Sequence, residues 1–373
     1  MLDQGSLETP EGVLRYWGKA GIAALDDASF HPLIFHNLDV AACGRLLLER
    51  DHLLRRRLAE VSGLAEEPLV DWITFLLAIH DIGKYADGFQ HLRSSLMERL
   101  QGRIAPVGYP ERHDLLGYRL WMEILAAQLR QSEGPIPAEG DREDWQDLLI
   151  PWIAAAMGHH GRPPLMKRPQ EPLHRQFPPE AERDALAWVR FAAAAWLPAG
   201  LPFPLEPFAE LEDRFRRASW LFAGLAVAAD WIGSNTDWFR FRPEALDPAV
   251  YWREVALPQA DRAVAAAGFL PVAPSRTTGL AALWPALSTP TPLQALAETL
   301  PLAPGPQLIT IEEVTGGGKT EAALTLAHRM LAAGEATGLY LGLPTMATAN
   351  AMVQRVAAVS DRLFAAGAEP SLV

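Results

Sequence analysis

Trp72-Ile-Thr-Phe-Leu-Leu-Ala-Ile-His-Asp-Ile-Gly-Lys84 is the stretch on which the reading of this chain turns. An apolar run, broken only by Thr74, delivers His80 and Asp81 side by side, with Lys84 one turn later. Burying an imidazole beside a carboxylate is costly unless each finds a partner, and a cation bound by both is the most economical one. Adjacent residues on a helix diverge by about a quarter turn, so an ion held by both needs further ligands from other helices.

Outward from that run, Phe30-His-Pro-Leu-Ile-Phe-His36 leads into residues 37–48, whose apolar positions recur at helical spacing and place His36 near a helix start. His113 stands at the entrance of an amphipathic helix over 113–125, after a Gly-, Pro- and Arg-rich loop over 101–112. A helix over 145–157 runs into Gly158-His-His-Gly-Arg-Pro-Pro164, where glycine and proline end it. Residues 161–179 carry six prolines and read as a long surface loop, and 180–195 as an amphipathic helix. The helix over 210–232 is almost wholly apolar from Ala218 to Ala229 and meets Asp230 at the end of that run. The first 25 residues or so read as a short helix containing Leu14, Tyr16 and Trp17. Up to about residue 240 no stretch is rich in strand signals, so an all-helical domain is expected.

Composition bounds the chemistry. The 373 residues, 49 % hydrophobic and 21 % charged, suit a packed protein of one large domain and part of a second. A net charge of -12 argues against a surface that coats nucleic acid all over, though Arg45, Arg50 and Arg55 to Arg57, or Arg162, Lys167, Arg168 and Arg175, could line a local groove. Cys43 is the sole cysteine, which removes structural disulfides and cysteine-based zinc clusters together. Asp3, Glu8 and Glu11 stand where a secretory signal would be basic and apolar, and the run Trp220–Ala229 is too short to span a bilayer; a soluble cytoplasmic protein is expected.

The candidate ligands are therefore His36, His80, Asp81, His113, His159, His160 and Asp230, each at the start or end of an apolar helix. Singly, each has a bland explanation: a hydrogen-bonded core histidine, or a helix cap. His-Asp followed by Gly-Lys, and His-His between glycines, are hard to dismiss together. His31, His52 and His174 sit in polar or loop contexts and read as structural or surface residues, with His91 a weak outsider.

His36…His80-Asp81…Asp230 resembles the H…HD…D signature of the HD phosphohydrolase superfamily, an all-helical metal-dependent fold. The additional His113 and the His159-His160 pair resemble its two-metal branch, and more narrowly the nuclease domain of the CRISPR-associated nuclease-helicase of type I systems. In that family a superfamily-two helicase core follows, so the residues beyond 240 test the resemblance.

Residues 241–290 read as a connection with a few short helices, and Gln307-Leu-Ile-Thr-Ile311 as a strand. The strand runs into Glu312-Glu-Val-Thr-Gly-Gly-Gly-Lys-Thr320 and an alanine-rich helix over 321–333, the sequence context of a phosphate-binding loop. Backbone amides of Gly316, Gly317, Gly318 and Lys319 would cradle phosphates, the Lys319 ammonium would reach the β and γ groups, and Thr320 would hold magnesium. Glu313 stands where the pattern has its first glycine, which leaves nucleotide affinity open. A second strand over 338–345 leads to Thr345-Met-Ala-Thr-Ala-Asn350, similar to a helicase motif that touches the nucleic-acid backbone through Pro344, Thr345 and Asn350; Gln294 resembles the adenine-reading glutamine. After Lys319 the acidic residues Glu321, Glu335, Asp361 and Glu369 form no DExH box, so these residues are expected neither to hydrolyse ATP productively nor to translocate. The expected organisation is mainly α: an HD-type metal-dependent nuclease domain over 1–245, a linker over 246–290, and the N-terminal part of a RecA-like α/β helicase domain over 291–373.

The resemblance implies that Asp81 bridges two cations, with His36, His80 and Asp230 completing one site and His113, His159 and His160 the other. Two such ions roughly 4 Å apart clamp the attacking and leaving oxygens of a displacement at phosphorus. A histidine-rich shell favours Fe, Mn, Co or Ni over Mg. Lys84 would neutralise the phosphate or the bridging carboxylate. By resemblance the substrate is single-stranded DNA, the partner a CRISPR RNA-guided surveillance complex (Cascade), and ATP with Mg the ligand of the phosphate loop. Two alternatives keep the same residues: an HD phosphohydrolase acting on nucleotides or cyclic nucleotides, and a non-catalytic docking module.

Overall fold

A computed structural model describes residues 9–21, 30–129, 142–165, 170–198 and 208–366. The chain divides into two compact units, Met1–Ala267 and Gly268–Val373.

The first unit is built around α1, Leu33–Arg50, in which every residue from Leu33 to Gly44 is buried. Only a helix wrapped on all sides can be apolar all round. Its neighbours are α3 (Glu66–Ala78), the long helix Phe208–Gly233 and the helix Leu257–Ala266. Gly44 lets α1 and α3 close up, since a Cβ there would lie 2.0 Å from Leu77 Cδ1. Between them α2, His52–Ser62, is capped at its start by the Asp51 carboxylate, which accepts Leu54 N–H at 2.9 Å.

The sequence predicts that the central apolar helix runs to His80, but α3 ends at Ala78. The amides of Ile79 and His80 donate to Leu76 and Leu77 carbonyls three residues back, a tightened last turn that swings His80 and Asp81 away from helical register. Gly83 explains the break: a Cβ there would meet the His113 carbonyl at 1.8 Å, so the backbone must leave the helix to let the next element approach. That element, His113–Leu120, continues through a π turn, Trp121–Leu125, into Ala126–Leu129. The helices Arg142–Met157 and Pro179–Trp196 complete the wall.

The expected helix over the first 25 residues falls partly outside the described residues, and residues 9–21 do not form it. Val13–Arg15 make one 3-10 turn, then β1 (Trp17–Ala20) pairs antiparallel with β2 (Phe30–Pro32), placing Lys19 opposite His31. The Gln90 carboxamide extends the pairing, accepting from Trp17 N–H at 3.3 Å and donating to its carbonyl at 3.0 Å. Residues 246–267, predicted as linker, belong to the first unit: the Tyr251 ring stacks on Phe35 with centroids 3.9 Å apart and planes within 1°.

In the second unit the helices Pro292–Thr299, Lys319–Ala332 and Met346–Leu363 are the long elements. Residues 307–311 and 338–345, predicted as strands, pair with nothing among the described residues, where the β1–β2 hairpin is the sole sheet. A strand exists only with a ladder partner, and Leu308 and Tyr340 remain 96 % and 91 % exposed. No described helix is long and apolar enough to cross a membrane.

Candidate metal centre

His36 projects from the first turn of α1, His80 and Asp81 from the tightened turn after α3, and His113 from the start of its helix. His159 and His160 follow the helix that ends at Met157, and Asp230 lies in the last turn of Phe208–Gly233. Five separate stretches of chain thus converge on one point.

Asp81 lies at the middle. Its Oδ2 faces His36 Nε2 at 3.1 Å and His80 Nε2 at 3.4 Å; its Oδ1 faces His113 Nε2 at 3.4 Å and His159 Nε2 at 3.7 Å. Asp230 Oδ1 lies 3.7 Å from both His36 and His80. On the opposite side His113 Nε2 and His160 Nε2 approach to 3.0 Å. Three overlapping groups result, His36/His80/Asp230, His80/Asp81/His159 and His113/His159/His160, each with candidate ligand atoms within 4.8 Å of one another.

The outer contacts fix which nitrogen each ring presents. His80 Nδ1 lies 2.7 Å from the Leu77 carbonyl and His159 Nδ1 3.1 Å from the Ala156 carbonyl. A carbonyl can only accept, so Nδ1 carries a proton in both rings and Nε2 is the nitrogen turned towards the centre. Tyr109 Oη, 3.0 Å from His113 Nδ1, holds that ring with Nε2 turned inward. Among the inner atoms, His80 Nε2 and both Asp81 oxygens are buried and form no hydrogen bond of proper geometry, with the Lys84 Nζ cation 2.6 Å from Asp81 Oδ2. Buried polar atoms without partners are rare and costly. Divalent cations supply what these atoms lack, so the donor set fits them.

Charge agrees with that fit. Burial alone would raise the Asp81 carboxyl, but Lys84, with Nζ 2.6 Å from Oδ2, and the surrounding imidazoles hold it well below the usual carboxylate range. Lys84, predicted to meet either a phosphate or the carboxylate, thus meets the carboxylate, and its Nζ also donates to the Gly18 carbonyl at 3.3 Å. Desolvation lowers His113 to about 3 and His159 to about 4, so both are neutral, as a metal ligand must be. His80 goes the other way, to about 9, because Asp81 and Asp230 outweigh its burial. A cation held by His80 between those carboxylates would take the place of that proton.

Two neighbours carry no signal in the sequence. Tyr109 lies in a Gly- and Pro-rich loop with no periodicity, and Lys19 in a segment read as helix. His31, set aside as structural or surface, is a buried strand residue bonded to Asp39 at 2.9 Å, away from the ligand groups.

In the second unit, positive φ at Gly316 and Gly318 shapes the glycine loop, and Gly318 caps the helix that begins at Lys319. The Lys319 ammonium folds back onto the Glu313 and Val314 carbonyls at 2.6 and 2.9 Å. Thr320 Oγ1 accepts from Arg355 at 3.2 Å, and Gln294 is buried in a capping box with Thr291 against the loop. Thr345 caps the helix Met346–Leu363 by accepting Thr348 N–H, with Pro344 and Asn350 exposed beside it.

Known proteins resemble this chain over most of its length. A CRISPR-associated endonuclease/helicase Cas3 from Escherichia coli (strain K12) is 30 % identical over 387 residues, covering 97 % of this chain and 41 % of that protein. The solved structure of T. fusca Cas3 with ATP superposes with a TM-score of 0.67 at 25 % identity, over 94 % of this chain and 38 % of that one. A chain in a CRISPR RNA-guided surveillance complex, pre-nicking, gives 0.57 at 26 % identity, over 92 % and 38 %. The chain spans about two-fifths of the length of the curated relatives it matches. The family model described as Cas3, HD domain matches residues 17–239, a span that opens at β1 and closes just beyond Asp230. With the hairpin, the central Asp81 carboxylate and the tandem histidines all inside that span, the chain belongs to the Cas3 HD-domain family.

Proposed function

We propose that the first unit is a metal-dependent nuclease that cuts single-stranded DNA during type I CRISPR interference. One observation carries this: a single buried carboxylate, Asp81, turns its two oxygens to two different histidine groups and forms no proper hydrogen bond through either. His36, His80 and Asp230 would hold one cation and His113, His159 and His160 the other, with Asp81 between them.

Divalent cations, when bound, supply the Lewis acidity that activates water and offsets charge at phosphorus. This chain's own groups do the rest. The Leu77 and Ala156 carbonyls fix the tautomer of His80 and His159, and the Tyr109 hydroxyl orients the His113 ring. Lys84 holds Asp81 ionised. Cys43 is buried, so the sole thiol offers no nucleophile, and the attacking group on this reading is water. Nitrogen-rich donors favour Fe, Mn, Co or Ni.

The relative within a surveillance complex supports a CRISPR RNA-guided complex as partner, and the ATP-bound relative supports ATP at Gly316–Thr320, read by Gln294, in the complete protein. Pro344, Thr345 and Asn350 would touch the DNA backbone.

Cleavage of circular single-stranded DNA with manganese or nickel, by wild type and Asp81→Ala, tests the reading. Metal-dependent cutting that Asp81→Ala abolishes is expected. Hydrolysis of nucleotides or cyclic nucleotides with the DNA left intact would replace nuclease by nucleotide phosphohydrolase, and absence of bound metal would leave a docking module.

A further inference from the structure

Lys84 is not the only ammonium at the metal centre. β1 is pressed against the ligand-bearing helix: a Cβ on Gly18 would lie 2.9 Å from Leu33 Cα and 3.3 Å from His36 Cβ. The Gly18 carbonyl accepts from Lys84. The next residue, Lys19, reaches to the other side of the site, where its Nζ donates to the Ser234 carbonyl at 2.8 Å while Ser234 Oγ bonds Asp230 Oδ1 at 2.9 Å. Two adjacent residues of one strand are thereby stitched to the turn bearing Asp81 and to the helix bearing Asp230.

A half-buried ammonium in that place needs a reason. It has three donors, and the Ser234 carbonyl takes one. Asp81 is already answered by Lys84 at 2.6 Å. Any divalent cation held by the histidines adds to the charge of Lys19 instead of offsetting it. An anion with oxygens is the group that the remaining donors would suit. Burial, with the nearby Lys84 charge, pulls the Lys19 ammonium down to about 8 against the opposing pull of Asp230, Asp81 and Asp39.

We infer that Lys19 is a phosphate-binding residue, whose ammonium holds a phosphate of the DNA backbone at the rim of the metal centre from the strand side. This deepens the nuclease reading and rests on it. Lysine suits the task as a compact point charge with rotatable donors, able to follow a backbone phosphate without reading sequence. The ligand residues fix where the reaction occurs; Lys19 would fix where the strand lies.

The test compares wild type, Lys19→Gln and Lys19→Arg on three readouts: manganese content after dialysis, binding of a fluorescein-labelled oligothymidylate over a salt series, and the separate kcat and KM for its cleavage. Lys19→Gln should keep full manganese content, weaken oligothymidylate binding on the order of tenfold, and lower the salt slope of log K by about 0.7, the value for one phosphate contact on a single strand. The kinetic loss should fall mainly in KM. Lys19→Arg should restore the slope. An unchanged affinity and slope in Lys19→Gln overturns the inference. So does loss of manganese, which would make Lys19 a strut between β1 and the Asp230 helix. Failure of the wild type to bind or cut the oligothymidylate sinks the nuclease reading itself, a result distinct from a Lys19→Gln protein that matches an active wild type.

Discussion

Two histidine–carboxylate clusters flank the same turns of α1, and they are built to opposite rules. In one, His31 Nε2 meets Asp39 Oδ2 at 2.9 Å, Tyr251 Oη donates to Asp39 Oδ1 at 3.0 Å, and His31 Nδ1 accepts the Arg242 amide at 3.2 Å. In the other, His36, His80 and Asp81 crowd together with Asp81 making no proper hydrogen bond. All five residues are 0–2 % exposed, so burial does not separate the clusters. Satisfaction does. A closed network spends its polar atoms on the fold, whereas an open one keeps them for something not encoded in the chain.

The largest effect expected from that difference is functional. Asp81→Ala removes the carboxylate shared by both ligand groups and should abolish metal loading and cleavage together. Asp39→Asn, on the same side of the core, should leave metal content and cleavage rate intact while lowering stability. Metal analysis and a cleavage assay on the two purified variants read this directly. An Asp39→Asn protein that loses its metal would break the distinction.

Next in size is the response to metal. An ion that binds only the folded state, at about 100 times its Kd, stabilises by about 2.7 kcal/mol. In a unit of this size that is a rise in Tm of roughly 5–10 °C. Differential scanning fluorimetry with nickel or manganese should show it in wild type and not in Asp81→Ala. Tyr251→Phe should show the full rise from a lower starting point. Loss of its hydrogen bond to a buried carboxylate costs about 1–3 kcal/mol, readable as a shifted denaturant midpoint with unchanged metal response.

Which parts were legible in the sequence follows the same division. The seven candidate ligands were visible because histidine and aspartate at the ends of apolar helices are dear without a partner. His31 is also in an apolar setting, Phe30-His-Pro-Leu, yet its partners Asp39 and Tyr251 are 8 and 220 residues away and only the fold brings them together. Lys19 was hidden for a related reason: one lysine in a short strand has no periodicity, and the Gln90 side chain that holds the strand in place lies far along the chain. The break after Ala78 was illegible because propensity continues through Ile79, and the steric need for Gly83 to touch the His113 carbonyl is tertiary. Residues 307–311 and 338–345 carry strand composition without described ladder partners, a reminder that β-propensity measures fit to a neighbour.

The smallest effect is a matter of slope. Burial raises Tyr16, Tyr85, Tyr109, Tyr118 and Tyr251 above the ordinary tyrosine range, and for Tyr251 the Asp39 carboxylate raises it further. These rings resist ionisation while the fold persists, so their phenolate absorbance should rise with unfolding. The sign follows from proton counting. Up to pH of about 10 both states hold the Tyr251 proton; above it the unfolded state releases the proton and the folded state does not, so stability falls as pH rises. Each such group contributes a slope of about 1.4 kcal/mol per pH unit. Tyr251→Phe should therefore flatten the alkaline limb by one proton even though it lowers stability at neutral pH. Denaturant unfolding between neutral pH and mild alkali measures both. If the variant loses stability with the wild-type slope, Tyr251 is already ionised or solvated in the fold, and the Asp39 cluster is as open as its neighbour.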